Sequence, residues 1–231
     1  MDKVGQIKSK QRVQDHGEVY TNPREVNAML DLVKHETERI ESRFLEPACG
    51  NGNFLIEILN RKLSVVNKRY APSKNRGNEQ WERYALLAVS SIYGVDILLD
   101  NAIECRQRLY ERFVEIYRQV CKSVRKDVEL SARYLLDCNI VCGDALTMRT
   151  SDGTPIVFAQ WDLVNSHMMK RQDYTLAHLL DVQEQQVPWF IDGTDISSLE
   201  VDPVTHALIP KPIKEYPPIN FWEVYQYESA V

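Results

Sequence analysis

Three segments carry residue types able to bind a ligand, and each follows a run of strand-forming residues. The first is Glu46-Pro47-Ala48-Cys49-Gly50-Asn51-Gly52-Asn53-Phe54. Glycines there let backbone approach a ligand closely, and the start of a following helix offers N–H groups with no helical partner. The second is Asp96, closing Ile92-Tyr93-Gly94-Val95, where a carboxylate can hold both hydroxyls of a ribose. The third is Asp144, after Asn139-Ile140-Val141-Cys142-Gly143, able to accept from an adenine amino group. All three stand at C-terminal ends of predicted strands, the edge where open α/β sheets bind ligands. A third glycine is missing, and Gly52 to Asp96 is much longer than the about 20 residues of a minimal dinucleotide fold. Both features count against a nicotinamide cofactor.

The elements that must position these segments can be read from periodicity. Asn22-Pro23-Arg24-Glu25 starts a helix, with Asn22 as cap and Val26, Met29, Leu30 and Val33 at helical spacing. Arg43–Glu46 reads as a strand, and Phe54, Leu55, Ile58, Leu59 and Leu63 as the helix after the glycine turn. Asn67–Asn78, with Pro72 and Gly77, predicts an exposed loop. Trp81–Ser90 and Asn101–Val124 predict helices, and Ile92–Asp96 and Asn139–Cys142 strands. Ile156–Ala159 and Trp161–Val164 are further strand candidates. Strands alternating with helices imply an α/β fold with a doubly wound, mostly parallel sheet. After about Asp181 the pattern decays among prolines. Residues 1–180 therefore read as the ligand-binding domain, and 181–231 as an irregular C-terminal appendage of it.

Composition bounds the function. The chain has 231 residues, 44% of them apolar, and a net charge of −5. The apolar runs are too short to span a bilayer, and Met1–Asp15 is polar, so a soluble, cytoplasmic chain with no membrane partner is expected. Five cysteines, no Cys-x-x-Cys pair and no nearby His favour reduced, mostly buried thiols over a metal site. Charge is uneven: Lys3, Lys8, Lys10 and Arg12 form one basic stretch. Arg61, Lys62, Lys68, Arg69, Lys74 and Arg76 form another, and such patches can bind phosphates.

Four segments together resemble the adenine-N6 DNA methyltransferases of restriction–modification systems. His16-Gly17-Glu18-Val19-Tyr20-Thr21-Asn22-Pro23 resembles that family's N-terminal Gly-Glu-aromatic-Thr-Pro segment. Phe44–Phe54 resembles its motif for S-adenosyl-L-methionine (AdoMet), Gly94-Val95-Asp96-Ile97 its ribose-binding strand end, and Gly143-Asp144-Ala145-Leu146 its adenine-contact motif. The resemblance implies a Rossmann-like class I AdoMet-dependent methyltransferase fold. It implies that Tyr20 and Thr21 lie beside the methionine part of AdoMet. Glu46 and the Ala48–Gly52 backbone, with Asn53 and Phe54 at the helix start, would hold its amino-acid end. Asp96 would bind the ribose, with Ile97 packed on the adenine. Asp144, with Ala145 beside it, would reach the adenine amino group.

The chain departs from the family in two places. The catalytic Asn/Asp-Pro-Pro-Tyr/Phe motif is absent. In its place stands Trp161-Asp162-Leu163-Val164-Asn165-Ser166-His167, where Asn165 is the nearest stand-in for the motif's Asn. A separate target-recognition domain is also missing. The catalytic residues are therefore unknown, and two expectations stand. One is a DNA adenine methyltransferase subunit of a restriction–modification or phage-defence system, with a protein partner supplying recognition. The other is a catalytically silent AdoMet-binding structural or regulatory subunit, or a methyltransferase for a substrate other than DNA.

Overall fold

Asn22 caps the first helix as expected: its side chain accepts from the Arg24 N–H at 2.9 Å, ahead of α1 (Pro23–Leu32). The computed structural model describes residues 21–184, 199–201 and 208–230, together with Arg12 and Gln14. A one-turn α2 (Lys34–Thr37) leads to β1 (Phe44–Glu46), α3 (Asn53–Tyr70), α4 (Glu79–Ser90), β2 (Ile92–Asp96), α5 (Leu99–Val120), α6 (Lys126–Asn139) and β3 (Ile140–Cys142). These strands form a parallel sheet in the order β1-β2-β3. Phe44 lies opposite Ile92, and Asp96 opposite Cys142. The chain is thus α/β, with a three-stranded parallel sheet and helical crossovers.

The crossovers are longer than the strands can match. At about 1.5 Å per residue, α3 is about 27 Å long and α5 about 33 Å, against roughly 10–17 Å for a strand of three to five residues. Each helix therefore overshoots the sheet, and a second helix must bring the chain back. This explains the long spacing from Gly52 to Asp96: the extra residues are the rest of α3, its loop, and α4. The helix α6, which plays the same role after α5, lies in a stretch to which the sequence reading above assigns no element.

Side chains alternate along a strand. Ile92 and Ile140 face the helices, in one core with Leu55, Leu59, Leu109 and Phe113. Gly94 shares that face, and a Cβ there would lie 3.0 Å from Leu55 Cδ1 and 3.1 Å from Cys49 Sγ, so its small size lets α3 pack closely. Tyr93 and Val95 point the other way, into a second cluster with Ile156, Phe158 and Leu176.

That second face is covered by β4 (Val157–Leu163) and β5 (Met168–Thr175), an antiparallel pair, and by α7 (Leu176–Glu184). A short hairpin of β6 (Leu199–Val201) and β7 (Leu208–Pro210) follows, then β8 (Lys214–Glu215) and β9 (Ile219–Asn220), both pairing with β5. The two strand candidates around Phe158 and Trp161 are one strand, and its direction is informative. It begins beside Gly143, where a Cβ would meet Ile156 Cδ1 at 2.8 Å. In its middle, Ala159 O accepts from Tyr93 OH at 2.9 Å. Towards its end, Gln160 Oε1 accepts from Arg43, just before β1, at 3.0 Å. Thus β4 runs from the C-terminal edge of β1–β3 to their N-terminal edge. Residues 144–155 form tight turns, with reciprocal Asp144–Arg149 backbone bonds, in place of a crossover helix. A parallel return usually uses a helical crossover, and without one the chain folds back antiparallel across the sheet face. No strand pairing among the described residues joins β4 to the parallel sheet.

The C-terminal 3-10 helix (Phe221–Ala230) buries Phe221, Val224 and Tyr227 in the main core. Glu82, fully buried, accepts from Tyr117 OH and from Trp222 Nε1, the latter at 2.8 Å, and ties this segment to α4 and α5. Among the described residues no helix is long and apolar enough to cross a membrane.

Lys62 is also fully buried, on α3. Its ammonium donates to Ile40 O at 3.1 Å, to Ser91 Oγ at 2.6 Å and to Ser42 O. Burial pushes its pKa down to about 7 from the ordinary 10.5. Between those values the unfolded chain binds a proton that the folded chain lacks, so stability rises with pH across this window and levels off below it. Urea unfolding of wild type and Lys62→Met, from about pH 7.5 to about pH 9.5, should show the difference. The wild type gains up to about 1.4 kcal/mol per pH unit relative to the variant, which lacks this dependence. Parallel curves would refute the assignment to Lys62.

Candidate functional site

The C-terminal ends of the parallel strands open on a cavity of about 580 Å³. Its wall is built from the three segments singled out in the sequence. Thr21, Glu46, Ala48, Gly50, Asn53, Phe54, Asp96, Ile97, Asp144 and Ala145 all line it, joined by Pro47, Cys49, Asn51, Leu98, Asn101, Gly143 and Leu146. Tyr20 lies outside the described residues. Gly52 is not in the wall.

The glycine turn is held from several sides. Cys49 N donates to Val95 O at 2.9 Å, and Gly52 N to Cys49 O at 2.8 Å. Gly50 has φ +53° and Gly52 φ +90°, the left-handed region that suits glycine. Arg108, reaching up from α5, donates to Asn51 O at 2.6 Å and to Asn53 Oδ1 at 3.1 Å. Asn53 Nδ2 reaches Thr21 O at 3.2 Å and so ties Thr21, just before α1, to the start of α3. Among the described residues no side chain caps α3, so its first N–H groups have no side-chain acceptor, and a helix start of this kind suits an anion.

Asp96 is nearly buried, and both its carboxylate oxygens are engaged. Oδ2 accepts from Gly50 N at 2.8 Å, and Oδ1 from Leu98 N at 2.9 Å and Asn101 Nδ2 at 3.2 Å. Its backbone carbonyl accepts from Gly143 N at 2.9 Å. It therefore assembles the site as well as lining it, and a ligand hydroxyl would share the remaining lone pairs. Glu46 is different. It is half-buried, its one bond is a long 3.4 Å contact from Ala48 N, and no cation pairs with it among the described residues. Burial raises its pKa, partly opposed by that N–H. Asp144 Oδ1 accepts from Leu146 N at 2.8 Å, which orients the carboxylate at the end of β3. Ile97 and Leu146, 60% and 93% exposed, stand as apolar side chains on opposite parts of the rim.

Cys49 and Cys105 lie behind the turn, both buried as thiols. Their mutual hydrogen bond, then burial, pushes the Cys49 pKa up. Gly52 has its role here. A Cβ on it would sit 2.7 Å from Cys105 Sγ, so the residue is a packing point against α5. Of the two glycines of the turn, Gly50 lines the cavity.

The segment after β4 is far from the cavity. Asn165 O accepts from Arg83 at 3.0 Å, and His167 Nδ1 lies 2.9 Å from Glu79 Oε1, both partners being on α4. That helix ends where β2 begins, so the β4–β5 turn lies beyond the opposite edge of the sheet. Asn165 cannot serve as the base-binding Asn beside this cavity. Among the described residues, no group of three or more His, Cys, Asp or Glu side chains is placed to hold a metal. Comparison with protein-family models, with curated proteins and with solved structures gives no match to this chain.

Gly52→Ala should destabilise the protein by about 1–3 kcal/mol, through strain at positive φ and overpacking. In a Cys105→Ala background the sulfur is gone, and part of that loss should be recovered. Denaturant unfolding of the double-mutant cycle tests this; strictly additive effects would show that the Gly52–Cys105 contact is not the cause.

Proposed function

We propose that this chain is an AdoMet-binding subunit of the adenine-DNA methyltransferase type, which holds the cofactor without itself methylating DNA. The observation that carries the reading is Glu46, a half-buried carboxylate with no cation partner among the described residues, beside an uncapped helix start and two further carboxylates on one cavity. AdoMet has a matching set of groups. Its ammonium suits Glu46, and its carboxylate suits the N–H groups at the start of α3. Its ribose hydroxyls suit Asp96, and its adenine amino group suits Asp144, with Ile97 and Leu146 available to the ring. The four family-like segments favour AdoMet over other nucleosides carrying an amine. When bound, AdoMet would offer a methyl group for transfer.

The direction of β4 favours the silent form. In the family this reading draws on, the target amino group is held just after the fourth strand. Here that position lies at the other edge of the sheet, against Glu79 and Arg83. The acceptor must point at the methyl group for transfer to proceed, and a separation of this kind removes that alignment. A restriction–modification or phage-defence assembly in which a partner brings the base-binding groups fits this division of labour.

Titration calorimetry with AdoMet should give measurable binding. Glu46→Gln should weaken it by about 1.5–3 kcal/mol, the worth of a hydrogen bond to a charged group. Glu46 makes little structural contact, so the variant should keep its stability. Undiminished affinity in Glu46→Gln, or no AdoMet binding by the wild type, would overturn the reading. With labelled AdoMet and mixed DNA, the pure chain should leave the bases unlabelled; robust base labelling would refute the silent form.

A further inference from the structure

The helices that begin at the cavity end at a second feature. The loop of residues 71–78 joins α3 to α4, and the loop of residues 121–125 joins α5 to α6. The two are tied together: Asn78 Nδ2 donates to Ser123 O at 2.5 Å and to its Oγ at 3.2 Å. The stretch Asn67–Asn78 contains Lys68, Arg69, Lys74 and Arg76 and no acidic residue. The stretch Cys121–Lys126 adds Lys122, Arg125 and Lys126, again with no acid. All of these cations are exposed.

The first loop is an ordered turn. Ser73 and Arg76 exchange backbone bonds at 2.9 and 3.3 Å, and the Arg76 guanidinium folds back onto Arg69 O at 2.7 Å. Four carboxylates flank the loops and offset part of this charge. Glu82, buried under Tyr117 and Trp222, lies 3.6 Å from Arg125, and Glu129 pairs with Arg118 and Lys126, so among the described residues the cations without a carboxylate partner are the others. Glu79 pairs with His167, and Asp127 accepts from Tyr225. Among the described residues, no carboxylate pairs with Lys68, Arg69, Lys74 or Lys122. On a chain of net charge −5, this end concentrates unneutralised positive charge.

We propose that this double loop docks the sugar–phosphate backbone of a nucleic acid, independently of sequence. Extended arrays of exposed Lys and Arg neutralise phosphates and release counterions, and that term supplies sequence-independent binding. A lipid surface fits less well, because Val124 is the one large apolar side chain exposed on these loops, and insertion needs more. The placement also separates functions. Nucleic acid held here lies at the end of the molecule away from the cavity, so the chain would be tethered to it without presenting a base to the cofactor site. The proposal does not rest on the AdoMet reading, because either surface can fail in its test without the other.

Fluorescence anisotropy with a labelled random-sequence duplex, using the full chain, tests it. Binding should weaken steeply from about 50 mM to about 200 mM salt. Joint replacement Lys68→Gln, Lys74→Gln, Arg76→Gln and Lys122→Gln should weaken binding at least tenfold at the lower salt. It should also reduce the log–log salt slope by roughly 3 to 4, near 0.9 per lost phosphate contact. A control with equal charge change elsewhere, Lys34→Gln, Arg39→Gln, Lys211→Gln and Lys214→Gln, should retain affinity within about threefold. Circular dichroism of both variants should match the wild type, and AdoMet titration of the first should be unchanged. No duplex binding by the wild type, or equal losses in both quadruple variants, would overturn the assignment. So would binding of polyglutamate or phosphatidylserine vesicles as tight as that of the duplex.

Discussion

The carboxylate of Asp96 is the contact on which the rest of the site depends. It stands at the end of the central strand, is nearly out of water, and accepts from the Gly50 turn, from Leu98 just before α5 and from Asn101 in its first turn. Its own carbonyl receives Gly143 from the neighbouring strand. A buried carboxylate left unpaired is strongly unfavourable, so these donors are held to it and the three loops are held together. The result is a wall held in place by the chain's own hydrogen bonds. Preorganisation of this kind lowers the ordering cost of binding.

A second constraint is length. Strands of three to five residues are bridged by helices of 18 and 22 residues, and the helices cannot stop where the sheet stops. The overshoot forces the return helices α4 and α6, and these extend the body well below the sheet. The buried cluster of Trp81, Phe113 and Tyr117, with Trp81 and Tyr117 stacked at 5.1 Å, fills this lower half. The C-terminal 3-10 helix closes it. The molecule therefore has two chemically different ends, an acidic cavity above the sheet and a basic double loop where the helices turn.

The reversal of β4 links architecture to function. With no helix between β3 and β4, the chain has no means of returning to the lower edge before the next strand. It folds back over the second sheet face, where Phe158 and Ile156 cover Tyr93 and Val95. Its partner β5 carries the Arg171–Asp173 pair, 2.7 Å apart and almost buried, in which Arg171 also packs on Tyr216 and Trp161. A charged pair facing inward hides the alternation that usually marks a strand, which is why Met168–Thr175 escapes a reading by hydrophobic period.

The local elements of the site were legible in the sequence because they depend on near neighbours. A cap at Asn22, glycines at Gly50 and Gly52, and acids ending β2 and β3 follow from backbone geometry and short-range hydrogen bonding. The same holds for β1 and α3 and for the gathering of their loops at one edge, since parallel crossovers place the strand ends together. The helix α6 was also within reach, because Val128, Ala132, Leu135 and Leu136 recur at helical spacing and are buried. Other features were decided only by long-range packing. The closeness of Gly52 to Cys105, which makes that glycine a packing residue, requires α5 to lie against the turn. The engagement of both Asp96 oxygens depends on Gly50, 46 residues away along the chain. The direction of β4 was decided by the fold of residues 144–155, and the pairing of the two basic loops by Asn78 meeting Ser123 across 45 residues. No local pattern encodes these, because each is a contact between segments whose separation in sequence says nothing about their separation in space.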